Sequence, residues 1–309
     1  MILCIGTTPA SQRVMVFSKL EVDAVNRAVN TLDGIAGKSI NVAKVLKTLG
    51  QRSVAIGFAG GERGQELLHA LTSRQIEAEF VKVSAPTRQC VSLLDQTTET
   101  VTELVEESRS VTPADYESLG AIVDRRLAKC AAVVMSGSLT PNGPVDFYQR
   151  LTQMANRLGI FTMVDAQGPP LVESLKARPG LVKPNRRELA ATVQRELRNQ
   201  DELIDAMHEV QKRGARRVVV TAGKSATLAL DDQDLWRIQP PEIRAVNPIG
   251  SGDAFTAALV WQMTLKQTIG EACRWGAAAG AANALSLMPG ELERKDVEQL
   301  ATQVKVERL

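Results

Sequence analysis

The segment Asn247-Pro248-Ile249-Gly250-Ser251-Gly252-Asp253, running into the apolar stretch Ala254 to Val260, carries the clearest chemistry in the chain. Gly250, Ser251 and Gly252 are small enough for the backbone to turn tightly and come close to a ligand. A helix opening there leaves its first N–H groups unpaired and pointing outward, which makes a site for an anion. Asp253 falls in that first turn, where a carboxylate is a poor phosphate ligand and a good base. A phosphate cradle beside a carboxylate points to phosphoryl transfer onto a hydroxyl. Asp253 would take the proton while Gly250, Ser251 and Gly252 face the developing negative charge. The same spacing also suits an ordinary glycine-rich turn with Asp253 capping a helix.

The elements that must hold this segment read as stacked βαβ units, because short β-branched runs alternate with helix-period segments. Ser53 to Phe58 predicts a strand, and Arg63 to Arg74 a helix with Leu67, Leu68 and Leu71 on one face. Thr112-Pro113-Ala114-Asp115 is a helix start. Ala131 to Met135 and Ile160 to Val164 are near-continuous apolar runs, as buried parallel strands require. Gln200 to Arg213 predicts a helix leading into the strand Arg217 to Thr221, and helices are expected to close the chain from Ala254 onward. Gln89 to Leu94 and Thr100 to Glu106 break the pattern. No helix separates them, so they pair as a hairpin across Asp95-Gln96-Thr97-Thr98. With strand-like Arg13 to Phe17 and Ala28 to Leu32 they form a small second sheet.

Composition narrows the function. At 309 residues the chain can form one α/β domain with a sizeable core, and its 44% apolar and 23% charged residues are ordinary for a globular protein. A net charge of +2 and 4% aromatic residues give no basis for binding nucleic acid or a membrane surface. Cys4, Cys90, Cys130 and Cys273 are widely spaced and only His69 and His208 accompany them, which argues against a zinc site or a disulfide framework and fits a reducing cytoplasm. The opening Met1-Ile-Leu-Cys-Ile-Gly has no basic flank and reads as a buried strand, not a signal peptide. The apolar stretch Trp275 to Met288 is Ala- and Gly-rich and shorter than a membrane span, so it reads as a packed helix.

Five motifs in order resemble those of the PfkB (ribokinase-like) carbohydrate kinases, in the branch of 1-phosphofructokinase and tagatose-6-phosphate kinase. Gly250 to Asp253 is similar to the C-terminal signature, and Ala36-Gly37-Lys38-Ser39-Ile40-Asn41-Val42-Ala43 to the N-terminal one. Between them lie Thr87-Arg88, Ser136-Gly137-Ser138-Leu139 and Lys183-Pro184-Asn185-Arg186-Arg187-Glu188. The resemblance implies an α/β, ribokinase-like three-layer α/β/α sandwich over residues 1–309, with a mainly parallel central sheet. It also implies a β-sheet lid over the sugar site, at about 11–35 and 84–107, used for homodimer contacts.

The resemblance gives the remaining candidates their roles. Lys38 and Arg88 would hold a phosphate already on the substrate, Arg through paired hydrogen bonds and Lys as a mobile charge; read alone, they could be solvated surface charges. Arg27 would be a third phosphate contact. Gly37 leaves room for the sugar, Asn41 would hydrogen-bond a sugar hydroxyl, and Ser138 would reach the same ligand. Asn185 and Glu188, three apart, could hold Mg2+ through water; they equally match a helix-capping pair. Lys183 belongs to the same cluster. Thr221, Gly223, Lys224 and Ala226 follow a central strand and resemble the ATP-binding loop, while Asn283 would border the adenine or simply pack in its small-residue helix.

Three positions depart from the pattern. Ala36 and Ser39 stand where relatives carry more glycine, which leaves less room beside the sugar. Ser11 stands where phosphosugar kinases carry an Asp that accepts from sugar hydroxyls, and Ser brings no charge. The expectation is an ATP- and Mg2+-dependent cytoplasmic kinase acting on a small-molecule sugar phosphate, fructose 1-phosphate first. Tagatose 6-phosphate, fructose 6-phosphate, an unphosphorylated sugar or nucleoside, and a non-catalytic sugar-phosphate sensor are the alternatives. No Gly-x-Gly-x-x-Gly follows the first strand, which argues against a nicotinamide dehydrogenase.

Overall fold

The computed structural model of the chain describes residues 1–232 and 234–309. From the N-terminus, β1 (Ile2–Ile5), β2 (Ala10–Phe17) and β3 (Asn30–Ala36) lead into α1 (Lys38–Thr48), β4 (Ser53–Ala59), α2 (Gly61–Ser73) and β5 (Glu77–Lys82). The hairpin β6 (Arg88–Asp95) and β7 (Thr100–Val105) follows, then α3 (Pro113–Leu127), β8 (Ala132–Ser136), α4 (Phe147–Arg157), β9 (Phe161–Asp165) and α5 (Pro169–Leu175). The remainder comprises β10 (Leu181–Val182), α6 (Arg186–Val193), α7 (Gln200–Lys212), β11 (Arg217–Ala222), β12 (Ser225–Asp231) and β13 (Asp234–Gln239). It ends with α8 (Ser251–Thr264), α9 (Ile269–Ala284), α10 (Arg294–Ala301) and β14 (Lys305–Arg308).

The large sheet has the order β14-β13-β12-β11-β10-β9-β8-β1-β4-β5. It is parallel from β11 to β5 and antiparallel from β11 to β14. Strand alternation divides its side chains between two cores: Ile2 and Cys4 pack with α1, α2 and α8 to α10, while Leu3 and Ile5 pack with α3 to α7. Both faces are therefore covered, which is why β4 and β8 are buried at every residue. The result is the expected three-layer α/β/α arrangement.

A separate sheet of order β3-β2-β6-β7 forms the lid. β6 and β7 pair antiparallel as the expected hairpin, and Asp95 Oδ1 accepts from the N–H groups of Thr97 and Thr98 to fix the turn. Val14, Val16 and Leu94 hold the lid against Met288.

Several boundaries differ from the sequence reading. β3 spans 30–36 and not 28–32, because its limits are set by pairing with β2, from Val16↔Asn30 to Ala10↔Ala36. Leu67 and Leu71 are buried, but Leu68 lies off their face and is 37% exposed. The Ala-rich helix stops at Ala284, and β14, not a helix, closes the chain by pairing with β13. Thr112 and Asp115 form a reciprocal capping box, as the residue types predict.

Ser39 does not crowd the sugar side. Its side chain is buried and turned to Gly6, where a Cβ would lie only 2.4 Å from Ser39 Oγ. Gly6→Ala is accordingly expected to destabilise the fold by about 1–3 kcal/mol, with Ser39→Gly recovering part of that loss. Denaturant unfolding of the two single variants and the double variant checks the coupling; simple additivity would mean the side chains do not compete for one space.

Candidate active site

Helix α8 starts from Gly250, whose φ of 83° is left-handed and whose added Cβ would lie 2.9 Å from Pro289 Cβ. Glycine alone satisfies both demands. The Ser251 N–H donates to the Pro248 carbonyl at 3.1 Å. Among the described residues, the N–H groups of Gly250 and Gly252 have no acceptor, so these two form the open anion cradle. Lys183 Nζ lies 3.9 Å from where a Gly252 Cβ would stand, bringing a positive charge to the same place.

Asp253 lies one turn into α8 and is 7% exposed. Asn41 Nδ2 donates to its Oδ2 at 2.7 Å. Burial raises the Asp253 carboxyl from 3.8 to about 6; Asp165 adds to this, while Lys38, Asn41 and Lys183 oppose it. The amide's oxygen, Asn41 Oδ1, is buried without a partner among the described residues, on a side chain that borders the cleft. A buried unpaired acceptor is costly, and a substrate hydroxyl donating to it would remove the cost.

Asp165 was not foreseen. It ends β9, at the carboxyl edge of the sheet where α/β proteins bind ligands, and that position was the available signal. Its Oδ1 lies 3.1 Å from Lys38 Nζ and its Oδ2 3.1 Å from Lys183 Nζ, and Thr256 Oγ1 donates to Oδ2 at 2.8 Å. Burial pushes its pKa up, but Lys183, Lys38 and Thr256 outweigh it and lower it to about 2. Two neighbouring carboxylates are thus driven apart: Asp165 is a fixed anion and Asp253 a poised base. Burial also pulls Lys38 down, yet Asp165, Asp253 and Glu188 more than compensate and keep it firmly protonated.

A cleft of about 320 Å³ gathers Gly250, Gly252, Asp253, Gly37, Lys38, Asn41, Arg88, Lys183, Asn185, Glu188 and Thr221. Ser138 lines an adjoining cavity of about 310 Å³, which shares Lys38 and Arg88 with the cleft. Other candidates lie elsewhere. Ser11 points to the opposite face of β2, and its neighbour Gln12 lines the cleft instead, because strand side chains alternate. Arg27 is exposed in the loop between β2 and β3 and lines none of the described cavities. Gly223, Lys224 and Ala226 occupy the β11–β12 hairpin outside the cleft.

Asn185 and Glu188 do form the capping box that opens α6. Asn283 braces the cradle from behind: its Nδ2 donates to the Ile249 carbonyl at 2.9 Å, and its Oδ1 accepts from Gly290 N–H at 2.7 Å. Buried Lys44, one turn beyond Asn41, donates to the Pro289 carbonyl at 2.6 Å and so fixes the segment that packs against Gly250.

An anion cradle, two fixed cations and a buried base beside a free amide oxygen define a phosphotransferase acting on an alcohol. The chain belongs to the pfkB family of carbohydrate kinases, whose family model matches residues 1–293. ATP as the phosphoryl donor follows from that membership. The chain is 28% identical to the tagatose-6-phosphate kinase of Staphylococcus epidermidis over 309 residues, covering 99% of both. Phosphofructokinase-2 of Escherichia coli, in complex with fructose-6-phosphate, is 25% identical with a TM-score of 0.87, over 97% of this chain and 98% of that one. A Thermotoga maritima protein described as a possible 1-phosphofructokinase shares the fold at a TM-score of 0.92 and 24% identity, over 100% and 99% of the two chains. Among the described residues no helix is long and apolar enough to cross a membrane.

If Asp253 is the base, only its ionised form turns over. The value of about 6 then predicts that kcat/KM falls below about pH 6, tenfold per pH unit, and levels off above it. A pH–rate profile of the free enzyme checks this; a profile flat down to pH 5 would contradict it.

Proposed function

We propose that the chain transfers the γ-phosphoryl group of ATP to a primary hydroxyl of a ketohexose phosphate, with fructose 1-phosphate the first candidate and fructose 1,6-bisphosphate its product. The observation that carries the proposal is the convergence of Asp253, Asn41, the Gly250–Gly252 cradle, Lys38 and Arg88 on one cleft. The acceptor hydroxyl gives its proton to Asp253 as its oxygen bonds to phosphorus, and the bond from phosphorus to the ADP oxygen breaks. The Gly250 and Gly252 N–H groups receive the equatorial phosphoryl oxygens. The names of the relatives make tagatose 6-phosphate and fructose 6-phosphate the rival acceptors.

Mg2+ fits one place in the donor set. Asn185 Oδ1 and Glu188 Oε2 are engaged in the α6 cap, and Asp165 is held by its two lysines. Glu188 Oε1 remains, 3.8 Å from Lys38 Nζ at the cleft wall. One carboxylate oxygen suits an ion that keeps most of its water, and Mg2+ there would neutralise phosphate charge. The exposed Val22, Val25 and Val29 of the β2–β3 loop, with Leu104 and Val105 of β7, support homodimer contact through the lid.

A second reading, an unphosphorylated sugar as acceptor, is favoured by Glu103, whose carboxylate lines the same cleft as Arg88. ADP release with ATP and Mg2+ over fructose 1-phosphate, fructose 6-phosphate, tagatose 6-phosphate, fructose, ribose and nucleosides decides. Turnover of one phosphosugar is expected, with Arg88→Ala raising its KM about tenfold or more and leaving that of ATP nearly unchanged. Turnover confined to unphosphorylated compounds would establish the second reading.

A further inference from the structure

The segment behind the cradle is held by a buried charge. Lys44 lies on α1, and its Nζ donates to the Pro289 carbonyl at 2.6 Å and to the Ile35 carbonyl at 3.3 Å. Glu291 Oε1 stands 3.6 Å from that Nζ and 2.9 Å from Arg74 Nη2. These acceptors match the three protons of an ammonium. Ile35 is the next-to-last residue of β3, close before Gly37, whose φ of 109° turns the lid strand into α1. Pro289 and Gly290 meet the chemistry. A Cβ added to Gly250 would lie 2.9 Å from Pro289 Cβ, and one added to Gly290 would lie 3.0 Å from Asn41 Cα. Met288, on the same segment, packs against Val14, Val16 and Leu94 of the lid. The lid, the cradle and the hydrogen-bond partner of Asp253 thus converge on one ammonium. Among the described residues, those lining the cleft do not include Lys44, so it acts through its neighbours and not on the substrate.

We infer that Lys44 is a positioning residue for phosphoryl transfer, clamping the lid strand to the segment that sets Asn41 and the Gly250 cradle. The inference rests on reading the Asp253 cleft as the phosphoryl-transfer site, whichever acceptor it takes. An ammonium donates to all three acceptors, whereas a neutral amine keeps two protons and turns a lone pair toward the third. Burial lowers Lys44 to about 8 and Arg74 adds to this, while Glu291 and Asp253 oppose it. Lys44 also lines a cavity of about 760 Å³ with Asp33, Arg74, Glu291, Glu293 and the exposed Lys47, which gives its proton a route to solvent. The clamp is complete below about pH 8 and loosens above it.

The test is the pH dependence of kcat/KM, by ADP release with ATP, Mg2+ and fructose 1-phosphate or whichever acceptor turns over, for the wild type, Lys44→Arg and Lys44→Met. The wild type is expected to lose kcat/KM tenfold per pH unit above about 8, and the Lys44 Cε resonance of the free enzyme, followed by NMR, to titrate with the same midpoint. Lys44→Arg stays charged and is expected to lose the alkaline fall. Lys44→Met at pH 7 is expected to lower kcat about 10²-fold while the KM values change by less than about threefold. A wild-type profile flat to about pH 9.5, an alkaline fall that persists in Lys44→Arg, or a folded Lys44→Met with near-normal kcat would each overturn the inference. Where neither variant folds, the wild type decides: a Lys44 midpoint that differs from the kinetic one overturns it. Failure of the underlying reading looks different, since Asp253→Asn would then keep wild-type turnover or no acceptor would turn over. Either of those results removes the inference together with the reading.

Discussion

The site depends on the Asp165 carboxylate, buried at the end of β9 and clasped by Lys38 and Lys183 on either side. Three charged groups in so dry a place survive only as a set, since removing one strands the others. Their mutual attraction keeps Asp165 ionised and leaves one positive charge in surplus. That surplus acts on what stands nearby: Asp253, whose carboxyl would otherwise be neutralised further by burial, and the open N–H cradle at Gly252, beside which Lys183 Nζ lies. Asp165 thus holds the cations in place and, by repulsion, helps keep Asp253 basic. The arrangement also ties stability to pH. A group whose pKa is lowered from 3.8 to about 2 stabilises the fold above pH 4, on the order of 2 kcal/mol, and that contribution is lost as pH falls from 4 to 2.

The fold supplies this set from four separate elements. β9 presents Asp165, the end of β10 presents Lys183, and α1 and α8, packed against each other, present Lys38 and Asp253. None of these groups can be moved without disturbing a core, because α1 and α8 share one apolar cluster beneath the sheet. The segment after α9 completes the frame. Pro289 closes on Gly250, Gly290 lies against Asn41, and Lys44 and Asn283 anchor the segment from either side. The cradle and the base are held together by one short stretch that touches both.

Much of this was legible in the chain. The glycine-rich turn before an apolar helix marked the candidate cradle and Asp253, and apolar runs located the parallel strands, because these depend on local residue order. Asp165 was hidden because its importance comes from Lys38 and Lys183, far away in sequence and brought close only by the sheet. Ser11 was taken for Gln12 because a one-residue offset in a strand exchanges faces, and only the pairing with β6 fixes which face meets the cleft. The capping role of Asn185 and Glu188 was readable from spacing; that it leaves just Glu188 Oε1 turned toward Lys38 required the structure. The glycine at position 6 had no signal of its own until Ser39 was seen to fill the space beside it.

The central claim is that Asp253 is a base kept at a cost. Its pKa is raised from 3.8 to about 6 chiefly by burial, so at neutral pH its charge opposes folding by on the order of 2–3 kcal/mol. Replacing it with the uncharged isostere Asn removes the base and that cost together. Thermal unfolding and turnover measured on the same Asp253→Asn preparation test both halves. The account predicts a Tm a few degrees above wild type at pH 7, with turnover lower by roughly 10²–10⁴. A variant that is less stable, or one that keeps near-normal turnover, would contradict it.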